Sequence, residues 1–355
     1  MNVNNKSSVI ITLFFALLFI KLDYAFILKE SNNLKLLQRF KKRCQNKSIN
    51  SIRFSKKCHS LGMLNNNEIS EKKNSVIMLS NSSKFDYNKI ENLIVFGDSH
   101  SSVNTNFIDM SYSGNSHSRG KNWPLHLLDF NNKLKLLNFA SSGAVVDSNI
   151  AFHRNNTIDF LKQYKLFYEK TTFEKKSLNE WNSYNTLFVI YIGTNDIYHI
   201  NHKCKNEHSI FCTKNNKSVI DNINNIIDII FNIIYKLYNI GARNILIFTI
   251  SPKRYILNNY LKNDVLNFNN NIIEKSKYFF KKHSDINFII YNTADKFKDI
   301  ISNCNMYKLK NCTNMWKLNK EDNLSDYLWF DSHLTDHGNK ILAEDINYLL
   351  SSLNN

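Results

Sequence analysis

Apolar residues along this chain fall into two alternating patterns. Mostly continuous runs, Leu93–Phe96, Leu134–Phe139, Thr186–Ile192, Asn244–Ile250 and Asn287–Tyr291, read as strands covered on both faces, as in a parallel sheet. Between them lie stretches with helical spacing. Trp123–Phe130 has Pro124 in a favoured first-turn position, much of Asp147–Asn179 is helical in pattern, and Val219–Asn239 is amphipathic and closed by Gly241. Asn258–Lys282 and Leu342–Leu350 complete the set. Strands alternating with helices predict a parallel sheet with helices on both faces and right-handed crossovers, so the carboxyl ends of the strands share one edge.

Three of the predicted strands end in small polar turns. Leu93–Phe96 runs into Gly97-Asp98-Ser99, Leu134–Phe139 into the stretch ASSGA containing Gly143, and Thr186–Ile192 into Gly193-Thr194-Asn195-Asp196. A Gly-Asp-Ser sequence is also ordinary turn chemistry. The topology nevertheless brings Ser99, Gly143 and Asn195 to one rim, where open α/β sheets place their ligands. A serine hydroxyl becomes a nucleophile when a base accepts its proton, and the oxyanion it creates needs fixed donors. The backbone N–H of Gly143 and the carboxamide of Asn195 are donors of the right kind. For the base the candidate is His333, preceded by Asp331 and Ser332, giving the chain order Ser, Asp, His. A histidine beside an acidic residue can equally be structural.

Taken together, these stretches resemble the four blocks of the SGNH hydrolases, the GDSL esterase/lipase family. FGDS is similar to the nucleophile block, NFASSGA to the glycine block, YIGTND to the Gly-x-Asn-Asp block and DSHLTDHGNKILAE to the block holding the family's Asp and His, all in the family's order. RGKNWPLHLL and GARNILIFTISP resemble segments that lie between those blocks, so the likeness runs from about Leu93 to Leu350. It implies a flavodoxin-like three-layer α/β/α sandwich. It also implies Ser99 as nucleophile, an oxyanion hole of Ser99 N–H, Gly143 and Asn195, and His333 as general base with Asp331 orienting it. No cofactor or metal is implied. Two departures stand out. His100 replaces the usual Leu after the serine, and only Ser332 separates Asp331 from His333 where the family has two residues. Either Asp331 reaches the imidazole across a tighter loop, or a backbone carbonyl orients it.

Composition modifies this picture mainly at the amino end. Lys6, the run Val9–Ile20 and Tyr24-Ala25 match a secretory signal peptide over 1–25, the apolar run being short of the roughly 20 residues that span a bilayer; a retained anchor is the alternative. Residues 26–90 read as a basic leader, a transit half, pro-segment or linker, and 91–355 as the hydrolase domain. Residues 1–90 hold 16 Lys and Arg against 5 Asp and Glu, a net of +11, which leaves +5 of the total +16 for the remainder. That placement removes most of the support for a nucleic-acid partner. The leader instead predicts entry to the secretory pathway, with a secreted, vacuolar, lumenal or plastid destination. The many Asn and Lys reflect an AT-rich coding bias. Cys44 and Cys58 lie in the leader; Cys204, Cys212, Cys304 and Cys312 form two equally spaced pairs, read as disulfides 204–212 and 304–312 in an oxidising compartment.

The substrate is less legible. Phe107, Trp123, Trp329 and Phe330 suit an acyl chain if they line the rim and are core residues if they do not. The sequence therefore predicts a carboxylic-ester hydrolase acting on lipid or lysophospholipid acyl esters, with peripheral membrane contact left open. The alternatives are a sugar O-acetylesterase, an acyltransferase, or a catalytically weak binding protein on the same fold. The oligomeric state is not encoded legibly.

Overall fold

The structure is a computed structural model describing residues 76–80, 85–152, 156–173, 181–202, 216–250, 261–320 and 322–354. Six strands form the main sheet: β1 (Val76–Leu79), β2 (Asn92–Gly97), β3 (Lys135–Asn138), β4 (Thr186–Tyr191), β5 (Asn244–Phe248) and β6 (Asn287–Tyr291). Their order is β1-β6-β5-β4-β2-β3, with every pairing parallel except β1 against β6. Each of the five predicted strands is present, with ends shifted by no more than two residues. Among the described residues seven α-helices accompany them: α1 (Trp123–Phe130), α2 (Phe160–Phe173), α3 (Thr194–Ile200), α4 (Val219–Asn239), α5 (Lys262–Lys282), α6 (Thr293–Ser302) and α7 (Asp336–Ser352). A short parallel pair, β7 (Asn311–Met315) with β8 (Tyr327–Trp329), precedes α7. This is the α/β sandwich that the strand and helix alternation predicts.

Two cores result from the twofold alternation of side chains along each strand. Ile94, Phe96, Phe188, Ile190, Ile245, Ile247, Phe288 and Ile290 point into a core closed by α2, α3, α4 and α5. Their neighbours Leu93, Val95, Leu187, Val189, Leu246, Phe248, Ile289 and Tyr291 point the other way, onto α1, α6 and α7. That double burial is why the strands read as unbroken apolar runs. Trp123 and Trp329 are fully enclosed in the second core, so of the four aromatic residues suggested for the rim these two are structural. Phe330 is buried outside that core, stacked on Trp316. Phe107 packs on Phe139 at the edge of the first core.

The main correction concerns where the folded part starts. Val76–Leu79 pairs with β6 at the sheet edge, and Phe85, Tyr87 and Ile90 are buried, so the last part of the stretch assigned to a basic leader belongs to the fold. Four alternating-free residues between polar neighbours give little sequence signal, and the partner strand lies more than 200 residues away. Helix α2 begins later than the Asp147–Asn179 pattern does, because residues 147–151 are tied down by turns in which Asp147 O accepts the N–H groups of Ile150 and Ala151. The signal peptide and the Cys204–Cys212 pair lie outside the described residues. Cys304 and Cys312 are joined as expected, with Cα atoms 5.8 Å apart. Among the described residues no helix is long and apolar enough to cross a membrane.

Candidate active site

Numbering only the parallel strands, the sheet has the order 2-1-3-4-5, which reverses direction between β2 and β4. A crevice opens at the carboxyl ends of such a pair. Ser99 follows β2 and Asn195 follows β4, so the two lie on either side of the reversal.

The end of β2 is fixed from several directions. The buried Gln163 of α2 accepts the Gly97 N–H at 3.0 Å and donates to the Gly97 carbonyl at 2.9 Å, while Ser141 N–H donates to the same carbonyl at 3.1 Å. Gly97 is required because a Cβ there would stand 2.5 Å from the Tyr191 carbonyl oxygen on β4. Beyond it, the buried Asp98 accepts the N–H groups of Ser101 and Ser102 through its carbonyl, at 3.1 and 2.9 Å, and that of His100 through its carboxylate at 2.9 Å. These bonds wind the chain into a turn on which Ser99 stands half-buried.

Ser99 Oγ lies 2.8 Å from His333 Nε2, and His333 Nδ1 lies 2.7 Å from Asp331 Oδ1. The one-residue spacing therefore works geometrically, and the physical reason is local. Asp331 makes an Asx turn, its Oδ1 accepting the backbone N–H of His333 at 2.9 Å. Phe330 N–H donates to the His333 carbonyl at 2.9 Å, and Trp329 bridges Leu334, so residues 330–333 form a tight hairpin that carries the carboxylate to its own imidazole. Burial pushes the Asp331 carboxyl up. The hydrogen bond and charge of His333, its backbone N–H and the charge of Lys317 outweigh that and hold it at about 2. An ionised carboxylate only accepts, so Nδ1 carries a hydrogen, and in the neutral imidazole Nε2 is then the acceptor facing the Ser99 hydroxyl.

Gly143 has a φ of +79° at the third position of a turn closed by Ala144 N–H to the Ser141 carbonyl, 3.0 Å, a conformation that favours glycine. Asn195 sits in the first turn of α3 and donates to the Ala144 carbonyl at 2.9 Å, while Asp196 accepts Val146 N–H at 2.9 Å. The glycine turn and the start of α3 are thus stitched together. Among the described residues neither the Ser99 nor the Gly143 N–H is used by another group of the protein.

Two further histidines surround His333: His117, which the sequence reading did not single out, and His100, noted there only as a replacement for Leu. His117 stacks on His333 with ring centres 4.7 Å apart and an interplanar angle of 21°, and its Nε2 is 2.7 Å from Ser142 Oγ. Desolvation and the neighbouring His333 charge lower its pKa, with Asp331 opposing them. His100 stacks on Tyr191 and lies 5.3 Å from the His333 ring. The signal for His117 was a loop rich in Ser, Asn and His. Among the described residues no group of three His, Cys, Asp or Glu side chains could hold a metal ion.

A family profile described as GDSL-like Lipase/Acylhydrolase matches residues 93–346. Among solved structures, LAE5, an alpha/beta hydrolase enzyme from the metagenome of Lake Arreo, Spain, aligns at 12% identity over 75% of this chain and 97% of its own, with a TM-score of 0.41. No curated protein sequence matches the chain.

Proposed function

The chain belongs to the GDSL-like lipase/acylhydrolase family, and from that premise we propose that it hydrolyses carboxylic esters through an acyl-enzyme on Ser99. The observation that carries this reading is the continuous relay from Ser99 Oγ through His333 to Asp331, at 2.8 and 2.7 Å. Ser99 Oγ attacks the ester carbonyl carbon as its proton passes to His333 Nε2, and Asp331 stabilises the imidazolium that forms. The carbonyl oxygen becomes an oxyanion received by the N–H groups of Ser99 and Gly143 and by the Asn195 amide, whose orientation the Ala144 carbonyl fixes. Collapse breaks the bond to the alcohol oxygen, which takes the proton from His333. Water then adds to the acyl-enzyme with His333 again as base, releasing the acid and restoring the Ser99 hydroxyl.

The substrates we assign are lipid-like acyl esters. Support comes from the wall beside the catalytic hairpin, where Trp316 stacks on Phe330 and the nearby Leu318 is 78% exposed. The Cys304–Cys312 bond supports an oxidising compartment. The test is hydrolysis of p-nitrophenyl esters from acetyl to palmitoyl by the wild-type protein beside Ser99→Ala and His333→Ala. Turnover that rises with chain length and falls at least about a thousandfold in both variants is expected. An optimum at acetyl would favour a sugar acetylesterase. Absence of turnover, together with no labelling of Ser99 by a fluorophosphonate, would refute the esterase.

A further inference from the structure

Two cations beside the catalytic hairpin have no part in the relay. Arg119 lies with its guanidinium carbon 5.2 Å from the centre of the Phe330 ring, and Lys317 donates its backbone N–H to the Phe330 carbonyl at 2.9 Å. Phe330 immediately precedes Asp331, and Arg119 is two residues from His117, the ring stacked on His333. Both cations are therefore attached to the frame of the base from different parts of the chain. Both are exposed, and among the described residues neither head group has a carboxylate or carbonyl partner. The charge of Lys317 is felt at the Asp331 carboxylate.

The placement of Arg119 is built rather than incidental. Its φ of +59° is a left-handed conformation that a long side chain rarely adopts. The chain is held on both sides of it, Ser118 Oγ accepting from the Asn339 amide at 2.8 Å and Lys121 N–H donating to Asp336 Oδ1 at 2.7 Å. Acidic groups close by are already engaged. Asp331 is bonded to His333, Asp336 to Lys121 N–H with His126 3.3 Å away, and Asp129 pairs with the Lys121 ammonium. A guanidinium held over an aromatic ring still has N–H groups available for an oxyanion, and an ammonium supplies a second point of charge.

We propose that Arg119 and Lys317 form an anion clamp at the mouth of the site, selecting esters whose alcohol part carries a phosphate or carboxylate. This rests on the esterase reading. The clamp binds away from the bond being broken, so it lowers KM more than it raises kcat. The apolar wall of Trp316 and Leu318 and the two cations then match one amphiphile, an acyl chain joined to an anionic head.

The test compares 1-octanoylglycerol 3-phosphate with 1-octanoylglycerol, reading the ratio of kcat/KM for the two within each protein. The wild type is expected to favour the phosphate ester by about tenfold or more, as one well-placed charge-assisted contact allows. Arg119→Gln and Lys317→Gln each reduce that ratio, the double variant brings it near one, and Arg119→Lys keeps part of it. Octanoyl esters of 4-hydroxybenzoate and of phenol repeat the comparison for a carboxylate. In parallel, calorimetry with the Ser99→Ala protein measures binding of both glycerol esters and of inorganic phosphate without chemistry. Tighter binding of the phosphate ester that is lost with the two Gln substitutions upholds the clamp even if turnover fails, which would count against the esterase alone. A wild-type ratio near one, a ratio unchanged in the double variant, or equal binding of the two esters overturns the clamp. Inhibition by inorganic phosphate as strong as binding of the ester would show a free-phosphate site in place of a substrate head-group site, and would overturn it too.

Discussion

Asp331 concentrates two hydrogen bonds from His333 on one carboxylate oxygen, at 2.7 and 2.9 Å, and both effects of that economy are measurable. Asp331→Asn leaves the Asx turn able to form but offers the imidazole an amide, which permits the wrong tautomer; kcat is expected to fall by about four powers of ten with little change in KM. The pH dependence has a definite sign. With its folded pKa held at about 2, below the ordinary 3.8, the carboxyl contributes stability that is complete above about pH 5, begins to decline as pH falls through 4, and is gone below about 2. The contribution is about 2 kcal/mol at neutral pH. Thermal unfolding midpoints of wild type and Asp331→Asn should therefore converge as pH falls from 5 toward 2, and parallel curves would contradict the assignment. At this scale much of the site was legible: Ser99, His333, Asp331, Gly143 and Asn195 each stand at a strand end or hairpin that their own local sequence announces. His117 and Arg119 were not. Their positions depend on Asn339 and Asp336, more than 200 residues away, holding an otherwise irregular loop.

Helix α2 is the element that most directly sets the height of Ser99. Gln163 is wholly buried and satisfies both the N–H and the carbonyl of Gly97, with a third bond to the Ile158 carbonyl at 2.9 Å. The ends of strands leave such groups unpaired, and a buried backbone amide without a partner costs about 1–3 kcal/mol. Gln163→Leu is expected to destabilise the protein by about 2–4 kcal/mol and to lower kcat, because the turn carrying Ser99 starts one residue beyond the orphaned glycine. Gln163→Glu, which keeps an acceptor for Gly97 N–H, should lie between. Chemical denaturation with the same ester assay measures both, and an unchanged kcat in a well-folded Leu variant would detach α2 from the site. Elements were legible in proportion to the length and regularity of their apolar pattern. The five parallel strands, α1 and α4 are where their apolar patterns place them. Helix α3, β7 and β8 were missed because they lack a continuous or periodic apolar pattern and borrow their burial from tertiary neighbours, as when Trp329 donates its indole N–H to the Cys312 carbonyl at 3.0 Å.

For the whole molecule, the sheet order is what converts separate turns into one site. It puts β2 and β4 side by side, from Asn92 opposite Thr186 to Gly97 opposite Tyr191, so their following turns meet, while α7 brings the His333 hairpin across the second core. The segment before β2 closes that second core. Tyr87 N–H donates to Asn354 Oδ1 at 2.6 Å and its hydroxyl to Asn347 Oδ1 at 3.2 Å, tying the segment to the carboxyl-terminal helix. Burying Phe85, Tyr87 and Ile90 contributes about 1.5–3 kcal/mol each, a sum comparable to the 5–15 kcal/mol that holds a typical domain together. A chain begun at Lys73 should therefore fold cooperatively and keep full activity. One begun at Glu91, where the sequence pattern alone would place the domain edge, loses β1 as well as those three side chains. It should be insoluble or unfold at a far lower denaturant concentration, with α7 the first element to lose amide-exchange protection. Equal stability of the two chains would mean that the segment merely lies on a fold complete without it, and that the exposed face of α7 and the open edge of β6 tolerate water.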